Sequence, residues 1–394
     1  MNLLIIPRVK LLTLNQLAMN STKLPESRSR ETIVFSGMRP TGRLHLGNYF
    51  GALKNWADLQ NQYRCYFCVA DWHMLTTGYE NTSSLQENIR EMVLDWLAAG
   101  LDPEKCVIFK QSDVSEHAEL ALLLAMTTPL SWLESNPTWK EQLQELAKTK
   151  MTKLVETIGS AFAPEEENAI DISGKLRPDS MRRTYGFLGY PILQAADILL
   201  YSGTKVPVGK DQLPHVEISR EITRQFNRAY GEIFAEPEAL LTPTSKVPGT
   251  DGRKMSKSYG NTVELFEMEE SLKKKIQTMY TDPTRIKASD PGHPEPSPEN
   301  PPGCSVFSLH KLYAEKDFVA KREEDCRAGK IGCVACKKDL SSEMKEPFAR
   351  FRETRARFSS DSGLVQKILN QGAQKARAVA QETMQRVRRA MRLV

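Results

Sequence analysis

The feature that most constrains this chain is a rhythm. Between residues 31 and 133, short strand-like runs alternate with longer segments of helical periodicity. Glu31–Gly37, ETIVFSG, reads as a buried strand ended by glycine. A turn over Met38–Arg43 and a helix from Leu46 to Gln62 follow, then a strand over Arg64–Trp72. Ser84–Ala99 sets Leu85, Ile89, Met92, Val93, Trp96 and Leu97 at helical spacing, and Gly100 suits its end. Strand Cys106–Lys110 and helix Glu116–Leu133 continue the series. Strands separated by helices pair in parallel with helices on both faces. The expected fold class is therefore α/β, a Rossmann-type parallel sheet.

Two stretches break the rhythm. The segment 150–183 is polar and turn-rich and reads as an insertion. Helix Pro191–Tyr201, strand Lys205–Gly209 and helix Asp211–Tyr230 then resume the pattern. Ser289–Gly303 holds six prolines in fifteen residues, which excludes helix and inner strand and predicts a stiff linker. Beyond it the pattern is helical, ending in a long helix from Gly363. The expected organisation is a disordered tail over 1–30, a catalytic domain over 31–240, a loop and linker over 241–288, and a helical domain over 289–394. The first residues, through Leu14, lack a clean secretory cleavage site. An organelle transit peptide, a disordered tail, or a true start at Met19 all remain open for that segment.

No apolar run approaches the roughly 18–20 residues that cross a bilayer, so a cytoplasmic protein without a membrane partner is expected. Net charge is +5, too mild to require a nucleic acid by itself. Its placement says more: Lys367, Lys375, Arg377, Arg386, Arg388, Arg389 and Arg392 face a single acid, Glu382, beyond Gly363. That is either a solvated helix face or a tRNA-facing one. Seven cysteines, an odd number, argue against a disulfide framework. Cys65, Cys68 and Cys106 lie in strand-like segments and read as small buried side chains.

Pro40-Thr41-Gly42-Arg43-Leu44-His45-Leu46-Gly47-Asn48 follows the first strand and opens the first helix. A helix start offers unpaired N–H groups and partial positive charge to phosphate. Gly47 lets a flat ring approach the backbone, and His45 and Asn48 stand one turn apart on one face. Alone, this is an ordinary structural turn. A second segment far downstream changes the reading: Gly252-Arg253-Lys254-Met255-Ser256-Lys257-Ser258, with Gly249 and Gly260 on either side, predicts a mobile loop. Its two lysines and serine hydroxyls can follow a triphosphate as charge builds on leaving pyrophosphate.

Cys304, Cys326, Cys333 and Cys336 form a further group, with twenty-one, six and two residues in the successive intervals. The final Cys-Val-Ala-Cys can wrap two thiolates onto one metal. All-sulfur ligation suits zinc or an iron–sulfur cluster, and the spacing does not separate them. Four unrelated thiols is the alternative to a metal site.

The two nucleotide segments resemble the HIGH and KMSKS motifs of class I aminoacyl-tRNA synthetases. IVFSGMRPTGRLHLGN, CYFCVADWH, YPILQAADILLY, VPVGKDQLPH and GRKMSKS look specifically like bacterial tryptophanyl-tRNA synthetases, from about Thr32 to the C-terminus. The KMSKS match is complete; the HIGH match has Leu46 and Asn48 at its second and fourth positions. The resemblance implies ATP-dependent formation of tryptophanyl-adenylate, with Mg2+ neutralising phosphates, and transfer to tRNA(Trp) by a homodimer. It implies ATP contacts at His45, Gly47 and Asn48, with Arg39, Pro40 and Thr41 before them. Lys254 and Lys257 would hold pyrophosphate, within a loop that includes Met255, Ser256 and Ser258. Gly209, Lys210 and Asp211 match a segment contacting ribose and phosphates, although Lys210 replaces the family's glutamate. Val247 would pack near adenine.

For tryptophan itself, Asp197 on an apolar helix is the choice for the indole N–H, since a buried carboxylate needs a partner. A helix cap or structural ion pair is the alternative. Gln212 would help orient the amino acid, Phe35 would line the pocket, and Gln194 and His73 are polar neighbours or satisfied core residues. A subset of the bacterial enzymes carries a 4Fe–4S cluster on similar cysteines, with a first interval one residue longer than here. The resemblance thus implies a 4Fe–4S cluster, with structural zinc as the alternative. Tyrosyl-tRNA synthetase shares the fold and both motifs. A small-molecule adenylating ligase and a synthetase-like tRNA-binding protein without activity are the remaining rivals.

Overall fold

The computed structural model describes residues 32–136, 184–242 and 247–394. The expected tail over 1–30 and insertion over 150–183 lie outside them. β1 (Ile33–Met38) pairs in parallel with β2 (Arg64–Val69) along its whole length. β2 pairs with β3 (Cys106–Lys110), and on the other side β1 pairs with β4 (Lys205–Val208). A strand that the sequence reading lacks, β5 (Glu238–Leu241), pairs with β4, giving the order β3-β2-β1-β4-β5. Winding reverses between β1 and β4, and ligands of such sheets bind at the carboxyl ends of the strands there.

The helical elements refine the expectation. The first helix is α1 (Leu46–Asn48), a π-helical stretch over Tyr49–Leu53, and α2 (Lys54–Leu59). β2 stops at Val69, short of the expected Trp72, because Asp71 starts α3 (Asp71–Gly78). There the Asp71 carboxylate accepts from the N–H groups of Trp72 and, across the chain, Ser112. α4 (Leu85–Ala98) is as expected. The helix expected over Glu116–Leu133 is two, α5 (Glu116–Ala125) and α6 (Leu130–Ser135). Thr127 and Thr128 turn their hydroxyls onto Leu124 O, and Pro129 cannot continue the ladder. α7 (Tyr185–Leu200) starts before Pro191, capped by Thr184, whose Oγ1 accepts from Phe187 N–H. α8 (Leu213–Tyr230) follows β4, and α9 (Glu269–Thr278), α10 (Ser305–Tyr313), α11 (Lys316–Arg327), α12 (Cys333–Ser359) and α13 (Leu364–Ala390) complete the chain.

Alternation along the strands fills two cores. Phe35, Tyr66, Cys68, Val107 and Phe109 face α5, α7 and α8. Val34, Cys65, Phe67, Val69 and Ile108 face α2 and α4. Cys65 and Cys68 point to opposite faces, so they are buried apolar side chains and not a redox pair.

The last helix packs on the sheet of the first part of the chain. α13 leaves the helical region and returns to the sheet: Val365, Ile368 and Leu369 join one core, and Ala373, Ala376, Ala380, Met384 and Val387 join the other. The helix crosses the outer strand β3, and at the crossing a Cβ on Gly372 would stand 1.7 Å from Ile108 O. Three of its arginines make contacts within the chain. Arg388 Nε donates to Glu119 at 2.7 Å, Arg377 binds Asp113 O, and Arg386 Nη1 reaches Ile233 O. A third core unites α9, α10 and α12 with Leu46, Phe50, Val247 and Met255, so the helical region packs on the nucleotide motifs themselves.

Candidate active site

The turn after β1 ends at His45, the N-cap of α1. Gly47 N–H donates to His45 Nδ1 at 3.1 Å, and His45 N–H donates to Asn48 Oδ1 at 3.1 Å, a reciprocal cap. Burial first, and the Lys257 charge second, pull the imidazole down to about 4. At neutral pH the ring is therefore uncharged. With Nδ1 accepting, its proton sits on Nε2, which makes the ring a hydrogen-bond donor there. A Cβ on Gly47 would stand 2.9 Å from the His45 ring and 3.6 Å from Met255 Cβ.

That last contact already joins the two motifs. Met255 is buried and donates its N–H to Val247 O at 2.9 Å, while Pro248 and Lys254 form a bridge. Ser256 and Ser258 share a 2.8 Å hydrogen bond between hydroxyls. Lys257 Nζ donates to Thr41 O at 2.6 Å, which seats the lysine loop on the turn before His45. The chain after the loop continues the union: Leu46 N–H donates to Val263 O at 3.0 Å, and Leu265 N–H to Leu44 O at 2.9 Å. Arg39 Nη1 reaches Thr77 Oγ1 at 3.2 Å, and Pro40 is buried behind it. Gly209 opens a 3₁₀ turn over Lys210–Gln212 at the end of β4, and Gln212 caps α8. The segments after β1 and after β4 thus meet the winding reversal from both sides, and Lys254 and Lys210 are exposed there.

Asp197 on α7 is buried, with hydrogen-bond partners on both oxygens. Oδ1 lies 2.6 Å from His117 Nδ1 and 2.8 Å from Gln111 Nε2, and Oδ2 lies 2.9 Å from both His73 Nε2 and Gln111 Nε2. Burial pushes the carboxyl upward, but His117 and then His73 bring it to about 2, so it is an ionised acceptor. His73 N–H donates to Gln111 Oε1 at 3.3 Å, which fixes the amide's orientation. Tyr201 lies 2.7 Å from His117 Nε2 and stacks on Tyr66 and Phe35. Phe35 is thus placed in the core beneath this cluster. Gln194 is half-buried, one turn before Asp197 on the same face of α7. Sequence reasoning found Asp197 and His73 but not Gln111, His117 or Tyr201. The position of Gln111, just past the carboxyl end of β3, was the available signal.

Residues 27–349 match the family "tRNA synthetases class I (W and Y)". The tryptophan–tRNA ligase of Aquifex aeolicus (strain VF5) is 48% identical, over 91% of this chain and 99% of its own. That of Thermotoga maritima is 46% identical, over 92% and 99%. The chain belongs to the class I tryptophan–tRNA ligases. Among solved structures, the tryptophanyl-tRNA synthetase of Campylobacter jejuni, complexed with ADP and tryptophan, is 34% identical. It superposes with a TM-score of 0.72 over 91% of this chain and 99% of that one.

Within this ligase fold the four cysteines share one neighbourhood. Cys304 caps α10, Cys326 lies in the last turn of α11, and Cys333 and Cys336 lie in the first turn of α12. The Arg285 guanidinium stands 3.8 Å from Cys326 Sγ and 3.7 Å from Cys333 Sγ, held by Ala288 O and Ile331 O. Burial raises the Cys304 thiol to about 11 and the Cys336 thiol to about 12. Among the described residues, no three His, Cys, Asp or Glu side chains form a group able to hold a metal ion. The expected metal centre is therefore not assembled by these side chains as they stand. Also among the described residues, no helix is long and apolar enough to cross a membrane.

Proposed function

We propose that this chain activates L-tryptophan with ATP, releasing pyrophosphate, and passes the aminoacyl group to the terminal adenosine of tRNA(Trp). The observation that carries the reading is the 2.6 Å contact from Lys257 to Thr41 O, which sets a lysine loop on the start of a phosphate-suited helix. The carboxylate of tryptophan attacks the α-phosphate, so no protein nucleophile is needed, and catalysis is positioning and charge stabilisation. His45 donates from Nε2, and Asn48 and the turn residues Arg39, Pro40 and Thr41 complete its side of the nucleotide. Val247 and Met255 line the adenine side. Gly209, Lys210 and Asp211 meet ribose and phosphates, with Gln212 towards the amino acid. Lys254 and Lys257, with Ser256 and Ser258 beside them, follow the charge that moves onto pyrophosphate. Mg2+ accompanies the nucleotide and neutralises its phosphates.

Asp197 accepts the indole N–H. His73 is the more open of its two histidine partners, with 13% of its side chain exposed against none for His117. Oδ2, the oxygen on the His73 side, is thus the one a substrate reaches. A homodimer belongs to the same proposal, supported by the exposed apolar side chains Leu122, Met126, Leu130 and Tyr185 on α5, α6 and α7.

The finer reading of the cysteines is a 4Fe–4S cluster, with zinc as the alternative. The Arg285 cation stands beside Cys326 and Cys333 and suits thiolates better than thiols. Such a group would supply local structure in the helical region, and no reaction step passes through it.

Tryptophan-dependent exchange of labelled pyrophosphate into ATP tests the assignment. The unsubstituted protein is expected to exchange with tryptophan and not with tyrosine. Lys254→Ala with Lys257→Ala is expected to lower the rate by about 10²-fold or more. A normal rate in the double variant would remove the proposal.

A further inference from the structure

Asp95 is a carboxylate that the reaction does not use, yet its side chain is wholly buried on α4. Its two oxygens face different parts of the molecule. Oδ2 accepts the N–H of Leu44 at 2.8 Å, immediately before His45. Oδ1 accepts from Arg355 Nε at 2.6 Å, from α12 in the helical region. Arg355 also donates through Nη2 to Glu91 at 2.5 Å and lies 5.4 Å from the Phe266 ring, beyond the lysine loop. Leu44 is thus held on both sides: its N–H by Asp95, and its carbonyl by Leu265 N–H.

The remaining charges around the pair come from every neighbouring element. Glu91 shares α4, Arg43 in the turn donates to Glu91 at 3.0 Å, and Glu264 after the loop lies 3.8 Å from Arg43. The field of Asp95 also reaches Lys257. Burial outweighs these favourable contacts and carries the Asp95 carboxyl up to about 6. A buried charge of this kind persists only while its partner is present.

We propose that Asp95 and Arg355 are positioning residues for ATP: they fix the backbone of Leu44, and through it the orientation of His45 at the nucleotide helix. The inference rests on the ligase reading above. It predicts a defect confined to the nucleotide side, because neither residue touches the Asp197 cluster.

Arg355→Gln leaves the carboxylate unpaired. It is expected to raise the KM for ATP about tenfold in the exchange assay, with the KM for tryptophan within about twofold of the parent. Asp95→Asn combined with Arg355→Gln keeps an acceptor for Leu44 N–H and removes both charges. This double variant is expected to recover most of the lost ATP affinity, and the split between the two KM values is the readout that a merely structural defect would not give. Equal changes in both KM values, no change in either, or a double variant worse than Arg355→Gln would overturn the proposal. Silence of the unsubstituted enzyme would remove the ligase reading and this one with it. An active parent with unaltered variants removes this one alone.

Discussion

At the scale of single residues, function depends on protonation states that burial sets in opposite directions. His45 is a base kept neutral, with its ring down at about 4, and Asp197 is an acid kept ionised, at about 2. One donates to a nucleotide and the other accepts from an indole, and neither exchanges a proton near neutral pH. Asp197→Asn keeps the shape and removes the charge. In the exchange assay kcat/KM for tryptophan should fall by about 10²-fold while the KM for ATP holds. The sign of the pH effect follows from the depressed carboxyl. Its stabilisation, about 2 kcal/mol, is full above the ordinary carboxyl value near 4 and is lost as pH falls through about 2. Urea melts should therefore show the gap between parent and Asn variant closing over that interval. Asp197 was legible in the sequence because a carboxylate on an apolar helix demands partners. His117 was not, because a histidine among Glu116, Ala118 and Glu119 looks like helix surface until α7 covers it.

At the scale of elements, periodicity was legible and interruptions were not. Among the described residues, four of five strands stand where the sequence reading placed them. β5 escaped because EALL contains no β-branched residue and reads as helix; its pairing with β4 overrides that preference. The two threonines and Pro129 that split α5 from α6 could have been read as a stop. Gly372 is the instructive case. It lies in a long helix otherwise rich in good helix formers, and propensity alone favours Gly372→Ala by about 1 kcal/mol. The added Cβ would meet Ile108 O at 1.7 Å, a backbone atom of a buried strand that cannot turn aside. Overpacking should win, with a net destabilisation of about 2 kcal/mol. A lower urea midpoint at unchanged slope would register it; a more stable variant would mean that α13 does not ride on β3 as described.

At the scale of the whole molecule, the linear order of segments does not show where the chain doubles back. The proline-rich stretch looked like a border, yet the last helix recrosses it to cover both faces of the sheet at β3. An amphipathic stripe announces that a helix will bury a face and is silent on which partner it finds. Two of the four cysteines sit at the third core. Cys304 and Cys336 belong to, or pack against, the core that also holds Leu46 and Met255, the residues beside the nucleotide motifs. As free thiols, Cys304 and Cys336 are held protonated by burial. On the proposed cluster reading, metal binding would release protons and its affinity would rise with pH. Protein purified anaerobically is expected to be brown and to contain iron, whereas stoichiometric zinc without iron would replace the cluster by a tetrahedral site. On the proposed cluster reading, stripping the metal would lower the melting temperature and, because the core is shared, weaken ATP binding with it. If removal left both unchanged, the four thiols would be independent side chains, and the helical region would hold the lysine loop by apolar packing alone.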